Sequence, residues 1–244
     1  MSEVPVIRVR DLRVVRNQTH LLDSLSFSLA AGEVMALLGA NGAGKSTLLS
    51  ALANELAVTS GAIELDGKKL DTYAPETLAE VRALNAVEPP LAFSLSVFDF
   101  VSLGRPFAEP NCDGVLRALE QCHATQWMNR DAASLSSGEL LRVQLARSLY
   151  QLGDAPNLLW LLDEPLAHLD LAQREFVLKL LREVATRRRW AIIFSTHEPR
   201  DGIAIADCAL LLRRGVTIAF GKPEAVLTSE LLTACYETRV DCNF

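Results

Sequence analysis

Apolar and polar positions alternate along the first thirty residues. Ile7, Val9 and the stretch 12–15 are apolar, and Ser24-Leu25-Ser26-Phe27-Ser28-Leu29 alternates at period two, the pattern of half-buried strands. Ala30-Ala31-Gly32-Glu33 reads as a turn into Val34–Leu38, an unbroken apolar run that predicts a strand buried on both faces. A Gly-rich loop follows, and a helix is predicted from near Gly44. Ala62–Leu65, followed by Asp66-Gly67, reads as a strand entering a tight turn. From about Glu88 to Tyr150 the chain has helical character, broken at Pro89-Pro90 and at Gly104-Arg105-Pro106. Buried runs return at Leu158–Leu162, before Asp163, and at Ala191–Ser195, before His197. Between them Ala172–Thr186 predicts a helix with Phe176, Leu180 and Val184 on one face. Ala209–Leu212 and Val216–Phe220 flank Arg213-Arg214-Gly215 as a hairpin, and a short helical tail closes the chain. Buried strands alternating with helices predict an α/β fold with a helical insertion.

Composition narrows this little but usefully. The 244 residues suffice for one core and carry a formal net charge of −6, without the basic face of a general nucleic-acid binder. The dense basic run Arg187-Arg188-Arg189 ends a predicted helix, where cations suit the helix dipole. Five cysteines without a CxxC speak against a disulfide framework or zinc site and for reduced thiols in a cytosolic setting. The N-terminal MSEVPVIRVR lacks the apolar run of a signal peptide, and no window nears the ~20 apolar residues needed to cross a bilayer.

Two stretches carry explicit chemistry. Gly39-Ala40-Asn41-Gly42-Ala43-Gly44-Lys45-Ser46-Thr47 satisfies GxxxxGK[ST] between a predicted strand and helix. Small residues there let backbone N–H groups wrap phosphates at a helix N-terminus. Lys45 is expected to reach the β- and γ-phosphates of a bound nucleotide, and the Ser46 hydroxyl to ligate Mg²⁺. Leu158–Leu162 ends in Asp163-Glu164, which places Asp163 for Mg²⁺ and Glu164 as the general base that polarises the attacking water. A third stretch, Ser134–Leu149, joins small polar residues to a helical pattern, and Ser136 with Glu139 fits a capping box for Leu140–Leu149.

Together these residues resemble the ATP-binding subunit of ABC transporters over nearly the full chain. Gly39–Thr47 and Leu158–Glu164 are similar to Walker A and Walker B, and Leu135-Ser136-Ser137-Gly138-Glu139 resembles the LSGGQ/E signature. Leu166-Ala167-His168-Leu169-Asp170 resembles the D-loop, and His197 occupies the switch-histidine position. The resemblance implies a P-loop NTPase (RecA-like) core with an N-terminal antiparallel β subdomain and an inserted helical subdomain. Residues 1–87 and 151–220 would form the core with its β subdomain, 88–150 the helical part and 221–244 the tail. It also implies two copies sandwiching two ATP molecules head to tail. Ser136 and the Gly138 N–H would then face the γ-phosphate held by the partner, His197 would contact that in its own site, and Asp170 would link the sites.

Three positions depart from the family pattern. Glu88 stands where a Mg²⁺-contacting Q-loop glutamine is expected, Arg16 where an aromatic stacks on adenine, and Ser137 where the signature has glycine. Val97–Arg105 and the tail KPEAVLTSELLTACY resemble the branch that imports iron-siderophore, haem or cobalamin. The implied partners are a second ATPase subunit, an integral membrane permease at the cytoplasmic face and, indirectly, a substrate-binding protein. Two other readings stay open: a soluble ABC ATPase with a non-membrane partner, and a weakly hydrolysing regulatory subunit. The chain shows no second ATPase domain, coiled coil or basic surface, against the first. Retention of Lys45, Asp163, Glu164 and His197 argues against the second.

Overall fold

A computed structural model describes residues 4–86, 94–106 and 111–239. Two antiparallel strands open the chain, β1 (Ile7–Arg16) and β2 (Thr19–Leu29). Then come β3 (Val34–Leu38), helix α1 (Lys45–Leu52), β4 (Ser60–Leu65), β5 (Lys68–Lys69), α2 (Pro75–Val81) and β6 (Arg82–Asn85). Helices α3 (Val97–Ser102), α4 (Cys112–Gln121) and α5 (Ser137–Leu152) follow. The chain returns through β7 (Leu159–Leu162), α6 (Leu171–Arg188), β8 (Ala191–Thr196) and α7 (Pro199–Ile205). It ends with the hairpin β9 (Cys208–Arg213) and β10 (Val216–Gly221), then α8 (Pro223–Val226) and α9 (Ser229–Tyr236).

The strands form a four-stranded sheet, β2-β1-β4-β5, and a six-stranded sheet, β10-β9-β3-β8-β7-β6. All neighbours in the larger sheet are parallel except β9 and β10. Its central strands are apolar throughout because they are covered twice, and the pleat divides their side chains between two cores. Val34, Ala36, Leu38, Trp160, Leu162, Ile192 and Phe194 face the core shared with α3–α6. Met35, Leu37, Leu159, Leu161 and Ile193 face the other, shared with β1, β2 and α1. Trp160 and Trp190 meet edge to face at 6.0 Å in the first core.

Two elements escape the hydrophobic pattern. Strand β6 pairs with β7 at the sheet edge but is only four residues long, and α2 runs directly into it. The basic run ends α6 as the sequence predicts, but its residues differ in setting. Arg187 is exposed and pairs with Glu183, whereas the Arg188 side chain is only 16% exposed. Arg188 donates to the Gly153 carbonyl and Gln121 and lies over Trp190 at 5.0 Å. The described cysteines are Cys112, Cys122, Cys208 and Cys235, all free. No described helix is long and apolar enough to cross a membrane.

Candidate functional site

The larger sheet delivers the chemistry to its strand ends. After β3 the loop must turn sharply and keep its N–H groups free, which glycine permits. Gly39 has φ 154°, and a Cβ there would lie 2.4 Å from the Leu212 carbonyl oxygen. Gly44, with φ 105°, caps α1 and lies so close to Leu21 and Leu22 that any side chain would be crowded. The Gly215 N–H donates to the Ala43 carbonyl at 2.8 Å, so the β9–β10 turn braces the loop from behind.

Lys45 begins α1 and is 5% exposed. Its ammonium donates to the Gly39 carbonyl at 2.8 Å and lies 3.4 Å from Glu164 Oε1. Asp163 and Glu164 stand just beyond β7, held by β8. The Ser195 hydroxyl donates to Asp163 Oδ1 at 2.6 Å and accepts from the Glu164 N–H at 2.7 Å. Glu164 itself has φ 47°, a left-handed conformation that costs energy for a residue with a Cβ and recurs at functional sites. From the other side the Asp163 N–H donates to the Asn85 carbonyl at 2.7 Å. Asn85 is fixed in turn, its Oδ1 accepting from Ser148 and from the Trp160 indole N–H, both at 2.7 Å.

These groups surround a cleft of about 670 Å³ lined by Asn41–Thr47, Asp163 and Glu164, with Thr19, His20, Leu21 and Arg214 on its remaining walls. It combines a Gly-rich turn of N–H groups, a buried ammonium, the Ser46 hydroxyl and two carboxylates. That donor set suits a polyphosphate with a hard divalent cation held by oxygens. The buried Lys45 ammonium, with Glu164 3.4 Å away, is placed to meet an anion entering the cleft.

Other residues singled out by the sequence lie outside this cleft. Ser136 caps α5 and Glu139 returns the bond in a complete capping box, so the helix starts at Ser137 rather than Leu140. The Glu139 carboxylate, accepting from the Ser136 N–H and hydroxyl, is held below the ordinary glutamate range. Ser136 and Ser137 are exposed and Gly138 is buried beneath the Gln173 side chain. Asp170 caps α6 by accepting from the Gln173 N–H at 2.8 Å. His197 is exposed just past β8. Arg16 ends β1 opposite Thr19, and the wall behind that turn is made by Thr19, His20 and Leu21 instead. Glu88 lies outside the described residues.

The sequence reading passed over Ser195, Asn85, His20 and Arg214. Ser195 had a signal: with Thr196 it is a polar residue closing an apolar strand, and it is fully buried. The others acquire their roles only through pairing across the sheet and around the cleft.

The match to known proteins is broad. The ABC transporter family model matches residues 22–167. The chain is 39% identical to a hemin import ATP-binding protein, HmuV, of Nocardia farcinica, over 96% of this chain and 84% of that protein. It is 38% identical to the HmuV of Escherichia coli O157:H7, over 89% and 86%. Among solved structures it resembles an inward-facing ABC transporter described as of the metal-chelate type, with 32% identity, a TM-score of 0.81, and coverage of 95% and 88%. It also resembles cbiO1 of Clostridium perfringens, part of the ABC transporter complex cbiONQ, with 29% identity, a TM-score of 0.81, and coverage of 95% and 94%. Similarity of this extent runs through the phosphate loop and the acidic strand end alike, and the chain belongs to the ABC transporter family as one of its ATP-hydrolysing, P-loop NTPase subunits.

Proposed function

We propose that this chain powers the import of haem or a related metal chelate through a membrane permease, acting as a pair of identical copies on the permease's cytoplasmic face. The observation that carries this reading is the relationship to hemin import ATP-binding proteins along nearly the whole chain. It is supported by the two unlike phosphate-facing features, since none of Ser134–Glu139 is among the described residues lining the Lys45 cleft. A single chain thus carries a cleft and, elsewhere, a well-capped helix start, whose N–H groups and dipole attract an anion. In the pair, Ser136 and the Gly138 N–H of one copy face the γ-phosphate in the other's cleft, and Asp170 links the sites.

Within one cleft, backbone N–H groups of Gly39–Thr47 and the Lys45 ammonium hold the phosphates of ATP. Ser46 and Asp163 are the residues that would hold Mg²⁺, which when bound neutralises charge developing on the transferred phosphoryl group. Glu164 takes the proton of the attacking water, and His197 contacts the γ-phosphate. His20 and Arg16 are the candidates beside the base, and His20 is the one that lines the cleft. Glu88 is assigned to the Mg²⁺ side. The organisation into a core with its β subdomain, a helical part over 88–150 and a tail from 221 assigns permease docking to the helical part.

The test is to purify the tagged chain from membranes, identify what comes with it, and measure ATPase activity and haem uptake in the reconstituted complex. A polytopic membrane partner, and uptake lost with Glu164→Gln, support the proposal. A soluble partner favours the non-membrane reading, and tight ATP binding with little turnover the regulatory one.

A further inference from the structure

The C-terminal helix α9 lies behind the phosphate loop, and nothing in the ATP-site reading uses it. We infer that the Tyr236 hydroxyl is a positioning group for hydrolysis, tying the switch loop that carries His197 to the phosphate loop; this rests on the ATPase reading of that site.

The geometry is a bridge. Tyr236 Oη donates to the His197 carbonyl at 3.2 Å. On its other side Tyr236 lines a hollow shared with Ala40, Asn41, Gly42 and Ala43 of the phosphate loop. One side chain thus holds the backbone of the switch histidine and stands behind the phosphate loop. Cys235 lines the same small hollow.

Helix α9 is fixed well enough for the bridge to have a defined length. Leu232 and Cys235 are buried, and Cys235 Sγ donates at 3.2 Å to the Leu212 carbonyl, the same oxygen against which Gly39 is packed. Past the helix end, Glu237 pairs with Arg213 at 2.5 Å and Arg214 at 3.1 Å, and Arg213 also donates to the Ala234 carbonyl at 2.9 Å. Arg214 lines the nucleotide cleft itself. The phenol also remains a donor throughout the working range, because burial pushes it up to about 12.

A group placed this way acts through His197 and Lys45 rather than on substrate. Misplacing a reacting group by about 1 Å costs up to ~100-fold in rate, whereas nucleotide affinity rests on many loop N–H groups that the bridge does not supply. Loss of the hydroxyl therefore strikes turnover more than binding.

The experiment compares the full-length wild type with Tyr236→Phe and Tyr236→Ala. The readouts are kcat and KM for ATP, the Kd of a fluorescent ATP analogue, Tm, and amide hydrogen exchange over residues 195–199. For Tyr236→Phe the expected result is a kcat lowered about three- to tenfold, the effect of one such hydrogen bond. KM and Kd stay within about twofold, Tm is retained, and exchange over 195–199 is faster. Tyr236→Ala, which loses ring packing as well, loses Tm. Wild-type kcat and unchanged exchange in Tyr236→Phe overturn the inference, as does a Kd that weakens in proportion to kcat. A wild type without turnover defeats the ATPase reading instead, and the exchange comparison then still decides whether the phenol holds the switch loop.

Discussion

Lys45 and Glu164 lie 3.4 Å apart, one 95% buried and the other a third exposed, so each partly neutralises the other until an anion enters. Glu164→Gln keeps the shape and removes the proposed base, and steady-state ATPase activity is expected to fall at least about a hundredfold with nucleotide binding retained. Lys45→Ala is expected instead to weaken binding of the ATP analogue, because it removes the charge that compensates the phosphates. Ser137 is a subtler case. It is exposed at the first position of α5, and on the proposed two-copy reading its Cβ, absent from the family's glycine, would crowd the partner's phosphate. Ser137→Gly is therefore expected to hydrolyse ATP faster than the wild type in the reconstituted complex, and an equal or lower rate rejects the crowding account.

At the scale of elements, α5 shows how a local signal and a functional one coincide. The capping box was legible from Ser136 and Glu139 alone, because it depends on a spacing of three residues. Ser136→Ala is expected to cost about 1 kcal/mol of stability in denaturant unfolding. The box also sets a pH dependence. Glu139 is held below its ordinary range when folded, so its contribution is complete above that range and is lost as pH falls through the lowered value. Glu139→Gln should flatten the acid side of the stability profile, measured as urea midpoints from neutral pH downward. Strand β6 is the opposite case. Its four residues carry no readable period, yet Asn85 is the acceptor for Ser148, the Trp160 indole and the Asp163 N–H. Asn85→Ala leaves the first two donors without their acceptor in a buried setting, with an expected cost of about 1–3 kcal/mol.

For the molecule as a whole, the phosphate loop and the capped start of α5 are separate features of one chain, and the proposed reading has a second copy complete each site. Glu164→Gln with ATP and Mg²⁺ is expected to elute as a dimer in size exclusion, and as a monomer without nucleotide. Leu171, 81% exposed directly after Asp170, is an apolar residue that such a pair would cover.

The α/β class, most strands and helices, and the residues of the phosphate loop and acidic strand end follow from the sequence by itself. They depend on periodicity, on glycine's backbone freedom and on short fixed spacings, all of which are local. Tertiary structure alone decided the rest. It paired the short edge strand β6 with β7, placed buried Ser195 between Asp163 and Glu164, and packed Arg188, at the helix end the sequence predicted, over Trp190. It set His20 rather than Arg16 on the wall of the cleft, and brought Tyr236, 39 residues beyond His197, to the back of the site. Each of these depends on contacts between residues far apart in the chain, and a spacing along the sequence carries no record of them.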